Sequence, residues 1–253
     1  MPFSRLLAIE TSTDTLSVAV GSGEATGPCW QHTGPGGAQA SATLLPLVQA
    51  LLAQAGWPLA SLDAVVFGRG PGSFTGLRTA CAVAQGLAYG ARSPSGLPVL
   101  PVDTLLALAE EARWTQAAQG LPAADTIVAL LDARMGELYV APYARESDGL
   151  RATAPVRLCA PADLPAYLDA HVPAAHRVLL AGNARAAYPD ALGRLASDHL
   201  AVLPTATALL RLAQPLLTAG AAVAARDAWP LYVRDKVALT TAERESPRAE
   251  ARP

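Results

Sequence analysis

The chain has 253 residues, 51% of them apolar and 16% charged, with a formal net charge of −2. That balance excludes a disordered chain, which lacks the apolar residues to build a core, and a free-standing nucleic-acid binder, which carries a basic excess to meet phosphates. Alanine fills 55 positions, so much of the apolar fraction is small side chains that add little hydrophobic area.

Leu6–Glu10 and Thr15–Val20, joined by Thr11-Ser-Thr-Asp14, read as a β-hairpin. A Gly/Pro-rich loop is expected from Gly21 to Gly37. Leu44, Leu45, Val48, Leu51 and Leu52 then share one face of a helix over 41–55, with Pro46 in its first turn. Leu62–Phe67 is a short apolar strand that empties into Gly68-Arg-Gly-Pro-Gly-Ser-Phe-Thr-Gly76. A helix is predicted over 77–89, stopped by Gly90 and lined with small residues. Next come a strand over Val99–Val102 and a helix from Thr104 to about Gln119, capped by Asp103 or Thr104. Thr126–Leu131 and Leu138–Tyr143 flank the polar turn Asp132–Glu137. This second strand–turn–strand unit hints at a duplicated, two-lobed architecture. A helix over 163–171, a strand over 177–182 and a helix over 205–220 follow. The tail from Thr240 to Pro253 has no apolar periodicity and is expected to fray.

Candidate chemistry is sparse. The glycine string lies between a strand and a helix N-terminus, a good place for an anion. It fails both familiar loop patterns: no Lys follows Gly76, and Gly68, Gly70, Gly72 and Gly76 lack the Gly-x-Gly-x-x-Gly spacing. Glu10-Thr11-Ser12 has the acid and hydroxyls with which actin-like and sugar-kinase-like ATPases hold phosphate and magnesium. Taken alone, the triplet reads better as a hairpin turn stabilised by its own side chains. His32, His171, His176 and His199 have no three- or four-residue spacing, so no helical metal pair exists. No Gly-x-Ser-x-Gly elbow is present, and Cys81, among alanines, reads as a buried thiol. Asp132, Arg134 and Glu137 read as a salt-bridged turn. Cys29, Cys81 and Cys159 are scattered without a CxxC pair, which argues against a disulfide framework. The apolar run ending at Glu10 is too short for a signal peptide, and no stretch reaches the roughly 18 apolar residues of a membrane span. A reduced cytoplasm is the expected setting.

Three segments occur together and in order: Leu7-Ala-Ile-Glu-Thr-Ser-Thr13, Phe67–Arg78 with Ala84-Gln-Gly-Leu-Ala88, and Leu131-Asp-Ala-Arg-Met-Gly-Glu-Leu-Tyr139. With the ending Trp229-Pro-Leu-Tyr-Val-Arg234, they closely resemble the bacterial TsaB (YeaZ) family over about residues 4 to 240. The resemblance implies an α/β, two-lobed actin-like ATPase fold of mixed sheets flanked by helices. Residues 1–103 would form one lobe, with a helical segment over about 205–240 packed back on it, 104–204 the second, and 241–253 a disordered tail.

The resemblance also implies a role in making threonylcarbamoyladenosine in transfer RNA. The subunit would be non-catalytic, with no metal and no cofactor, and would pair with the catalytic TsaD. TsaD-like proteins carry a His-x-x-x-His pair where this chain has Gln39-Ala-Ser-Ala-Thr43. The ATPase TsaE would join the complex, and transfer RNA would be met only through it. The helices over 41–55 and 77–89 would meet TsaD, or a second copy when TsaD is absent, through Leu44, Leu45, Val48, Leu77, Ala80, Ala84 and Ala88. Glu10, Thr11, Ser12, Gly70, Gly72, Ser73, Thr75 and Gly76 would be degenerate phosphate-type loops. An autonomous ATPase or kinase using those loops, or an inactive glycoprotease-like interaction protein, remains the alternative.

Overall fold

The computed structural model describes residues 4–24, 27–92, 96–195 and 197–234. All five residues of β1 (Leu6–Glu10) are buried, as a strand covered on both faces requires. Its side chains alternate. Leu7 and Ile9 face one apolar cluster, and Leu6 and Ala8 face another. β1 pairs antiparallel with β2 (Thr15–Gly21), which pairs antiparallel with β3 (Cys29–Pro35). On its other side β1 runs parallel to β4 (Ala64–Gly70), and β4 to β5 (Val99–Asp103). The first sheet therefore has the order β3-β2-β1-β4-β5.

The second sheet repeats that plan. β6 (Thr126–Arg134) and β7 (Glu137–Glu146) form an antiparallel hairpin, and β8 (Gly149–Ala152) pairs antiparallel with β7. β10 (Val178–Gly182) runs parallel to β6, and β11 (Asp198–Leu200) parallel to β10. The order β8-β7-β6-β10-β11 reproduces the first sheet strand for strand in direction. One addition is β9 (Arg157–Cys159), paired with β7. Two mixed sheets flanked by helices are the architecture the resemblance implied.

The helices fill three layers. α1 (Ala40–Ala55) and α2 (Phe74–Ala91) cover the outer face of the first sheet. α3 (Thr104–Ala118) lies between the sheets, giving Ala107 to the first sheet's inner face and Leu105, Leu108 and Ala112 to the second's. α7 (Ala206–Thr218) packs Leu209, Leu210 and Ala213 beside Leu6, Ala8 and Val66. α4 (Leu164–His171), with the short α5 (Ala184–Ala187) and α6 (Pro189–Leu192), covers the far face of the second sheet.

Several local expectations are corrected. The loop expected over 21–37 contains β3, whose polar, mostly exposed edge residues hide its strand character. α2 starts at Phe74, where the Ser73 hydroxyl accepts from the Gly76 N–H at 3.4 Å, and it continues through Gly90 to Ala91. Pro46 is the seventh residue of α1, beyond the first turn. Asp103 is the N-cap residue of α3 but makes no capping bond with its side chain. Its carboxylate receives the Arg69 guanidinium at 2.6 Å instead. β8, β9, β11, α5 and α6 were not expected, being three or four residues long and without readable periodicity. The tail expected to fray lies outside the described residues.

The proposed partner-facing residues are also corrected. Leu44, Val48, Leu77, Ala80, Ala84 and Ala88 are each no more than 1% exposed. They belong to this chain's own interior, most of them packed on the first sheet's outer face. Ala80, Ala84 and Ala88 are small because α2 must come close to that sheet. Only Leu45, at 44% exposure, points outward.

Candidate functional site

The two segments with the most distinctive sequences lie against each other. Glu10 ends β1 and is 1% exposed. Its Oε1 accepts from the Ser12 N–H at 2.6 Å, and its Oε2 has no hydrogen-bond partner. Burial raises the Glu10 carboxyl above its ordinary value, only partly opposed by the polar groups of Ser12, Thr11 and Thr104 around it. Gly68 lies directly against that carboxyl, so a Cβ there would collide with Oε2. One turn further on, the Thr11 hydroxyl donates to the Gly76 carbonyl at 2.7 Å, and the Ser73 N–H donates to the Ser12 carbonyl at 2.7 Å. A Cβ on Gly72 or Gly76 would collide with the Ser12 or Thr11 carbonyl. The glycines are thus explained by the close approach of the β1–β2 turn.

This settles what the loops offer to a nucleotide. An actin-like fold invites magnesium and phosphate between its halves, held by an exposed acid and open backbone amides. Here the acid is sealed beneath Gly68 and burial favours its neutral form. The backbone space at Gly72 and Gly76 is filled by Ser12 and Thr11. The residues do not fit a magnesium nucleotide. Glu10, Thr11, Ser12, Gly72, Ser73 and Gly76 lie together, with Thr11 and Ser12 bonded directly to the glycine loop.

Beside them is a cavity of about 390 Å³ between the two sheets. Ser12, Gly72, Ser73 and Thr75 reach its wall from the first half, and Asp132, Arg134 and Asn183 from the second. Glu10, Thr11, Gly70 and Gly76 are not on that wall. Asp132 is held by the Tyr188 hydroxyl, which donates to Oδ1 at 2.8 Å, while its own N–H donates to Asn183 Oδ1 at 2.8 Å. The strand register shifts between Asp132 and Arg134, and Arg134 and Met135 both take the left-handed conformation, with φ 62 and 55. Such a bulge re-aims a side chain. Here it sends the Arg134 guanidinium across to Asp14 at 2.8 Å, with Asp132 at 3.3 Å behind it. Glu137 pairs with Arg234. The salt-bridged turn read from the sequence is present, but Asp14 and Arg234 are partners from distant segments that no local pattern reveals.

Other candidates stay structural. Among the described residues, no group of three or more His, Cys, Asp and Glu side chains is placed to hold a metal ion. The three cysteines are free, and burial raises each thiol. No helix among the described residues is long and apolar enough to cross a membrane.

Two duplicated mixed sheets, with an interlocked turn where ATPases of this architecture hold phosphate, define a member of the actin-like α/β class. A family model described as "TsaD: tRNA N6-adenosine threonylcarbamoyltransferase" matches residues 35–241. The tRNA threonylcarbamoyladenosine biosynthesis protein TsaB of Escherichia coli K12 is 32% identical, covering 92% of this chain and 96% of that one. Its Haemophilus influenzae counterpart is 37% identical, covering 92% and 94%. Among solved structures, YeaZ from Pseudomonas aeruginosa superposes with a TM-score of 0.77 at 34% identity, covering 90% of this chain and 99% of that one. The chain belongs to the TsaB (YeaZ) family.

Proposed function

We propose that this chain is a non-catalytic subunit of tRNA threonylcarbamoyladenosine biosynthesis that pairs with a TsaD-type transferase and activates it. Family membership supports the pathway. The observation that carries the partner role is the outward side of α1 and α2. α1 has no charged residue in its 16 positions, and α2 has none between Thr79 and Gly90. Leu45 and Tyr89 stand exposed there at 44% and 58%, with Ala42, Gln49, Ala82 and Gly86 around them. A solvent-facing helix side normally carries charge. Two helix sides without it, carrying small residues with Leu45 and Tyr89 and edged by Arg226, have the composition of an interface core with a charged rim.

The interface proposed here is the outward side of the same two helices. A TsaE-type ATPase would join the assembled pair, and in the absence of the transferase the same uncharged side would meet a second copy. With a net charge of −2, transfer RNA would bind tightly only to the complex. The test is reconstitution. Transfer RNA, the threonylcarbamoyl donor and the TsaD- and TsaE-type proteins are combined with and without this chain. Modification is expected only with it. Equal modification without it overturns the reading, and magnesium-dependent ATP turnover by the isolated chain would restore the kinase alternative.

A further inference from the structure

The ending Trp229–Arg234 is a sequence signature that neither the loop lock nor the partner face explains. Upstream of it, the buried Ala228 anchors the segment, its carbonyl accepting from Cys81 Sγ at 3.2 Å and from Gln85 Nε2 at 3.0 Å, both on α2. Leu231 N–H donates to the Arg69 carbonyl at 2.7 Å, fixing the chain to the end of β4. The Tyr232 ring lies 5.4 Å from Phe74, and its hydroxyl accepts from Arg78 Nε at 3.1 Å. Then the chain crosses. Val233 packs into the second sheet's core. Arg234 grips the β6–β7 turn, pairing with Glu137 and donating to the Arg134 carbonyl at 3.3 Å and Met135 Sδ at 2.9 Å.

Four consecutive residues thus tie the glycine loop and α2 to the second hairpin. The direct bridge across the same gap, Arg134–Asp14, is 70% and 83% exposed and so heavily screened. In the Arg234–Glu137 pair the two side chains are 13% and 39% exposed, so it is less screened. The gripped turn also holds two successive non-glycine residues at positive φ, a conformation that persists where surrounding contacts fix it.

We propose that residues 231–234 form a clasp that ties the two sheets together across the cavity between them, and that the Arg234–Glu137 pair is its catch. The clasp opens as a local unit while both cores stay folded. The test is native-state hydrogen exchange on the full chain, comparing Arg234→Ala and Glu137→Gln with Asp14→Ala. Both catch variants should speed exchange in 70–77 and 131–140 roughly ten- to a hundredfold, the change expected for a lost charge-assisted hydrogen bond. Exchange in α1 and α4 should not change. Asp14→Ala should change the same segments by no more than about twofold, as for an exposed pair. Unchanged exchange at both segments in the two catch variants overturns the proposal. So does acceleration spread evenly through both cores, which would make Arg234 a prop of global stability, or an Asp14→Ala effect as large as theirs.

Discussion

Two glycines on one helix should respond to alanine with opposite signs. Gly76 lies in the first turn of α2 with its Cα against the Thr11 carbonyl, and Gly86 lies ten residues further on, exposed, with open space where a Cβ would sit. Gly86→Ala removes backbone freedom from the unfolded chain and should stabilise by about 0.5–1 kcal/mol. Gly76→Ala gains the same intrinsic term. It must also push the β1–β2 turn away, an overpacking cost of about 1–3 kcal/mol, and it strains the Thr11–Gly76 hydrogen bond, worth about 1 kcal/mol. The net is a loss of about 1–3 kcal/mol. At about 2–4 °C per kcal/mol for a chain of this size, Tm should fall by roughly 2–12 °C for Gly76→Ala and rise by roughly 1–4 °C for Gly86→Ala. Urea unfolding of the two variants and the parent, followed by circular dichroism, measures both. A Gly76→Ala protein as stable as Gly86→Ala would refute the reasoning that the glycine string exists to admit Thr11.

Three further outcomes are expected. Glu10→Gln should flatten the pH dependence of stability: a carboxyl raised in the folded state stabilises fully below its unfolded value and loses that contribution as pH rises to the folded one. The variant's advantage over the parent should therefore grow above about pH 4.5 and then level off, as urea midpoints across pH will show. Leu45→Arg should leave the isolated chain within about 0.5 kcal/mol of the parent. It should weaken binding to a TsaD-type partner at least about thirtyfold in calorimetry, because it buries an unpaired charge at about 2 kcal/mol or more. Ala84→Arg, at a position with no exposure, should fail to give a folded protein, which a thermal melt or insoluble expression will report.

What could be read from the sequence follows from where the information lies. Long apolar runs such as Leu6–Glu10 and Thr126–Leu131, and the helical repeat of Leu44, Val48 and Leu51, carry their element type locally, and all were readable. β3 was not, because an exposed edge strand with Gln31, His32 and Thr33 lacks the alternation that marks a half-buried one. The small stripe Ala80, Ala84 and Ala88 showed that something packs closely on α2. It could not show whether that neighbour is the chain's own sheet or another molecule, and the sheet was the answer. The glycine string and Glu10-Thr11-Ser12 were each conspicuous alone. That they fit each other depends on β1 lying parallel beside β4, a pairing between residues more than fifty positions apart. Larger separations, 120 and 97 positions, hid Asp14 from Arg134 and Glu137 from Arg234.

The central claim is that this chain presents the uncharged side of α1 and α2 to a transferase. Hydrogen-exchange protection on forming the complex tests it most directly. Exchange should slow over 41–54 and 82–90, with the far side of the second sheet, including α4, unaffected. Protection confined to α4 and the second sheet, with α1 and α2 exchanging as in the free chain, would contradict it.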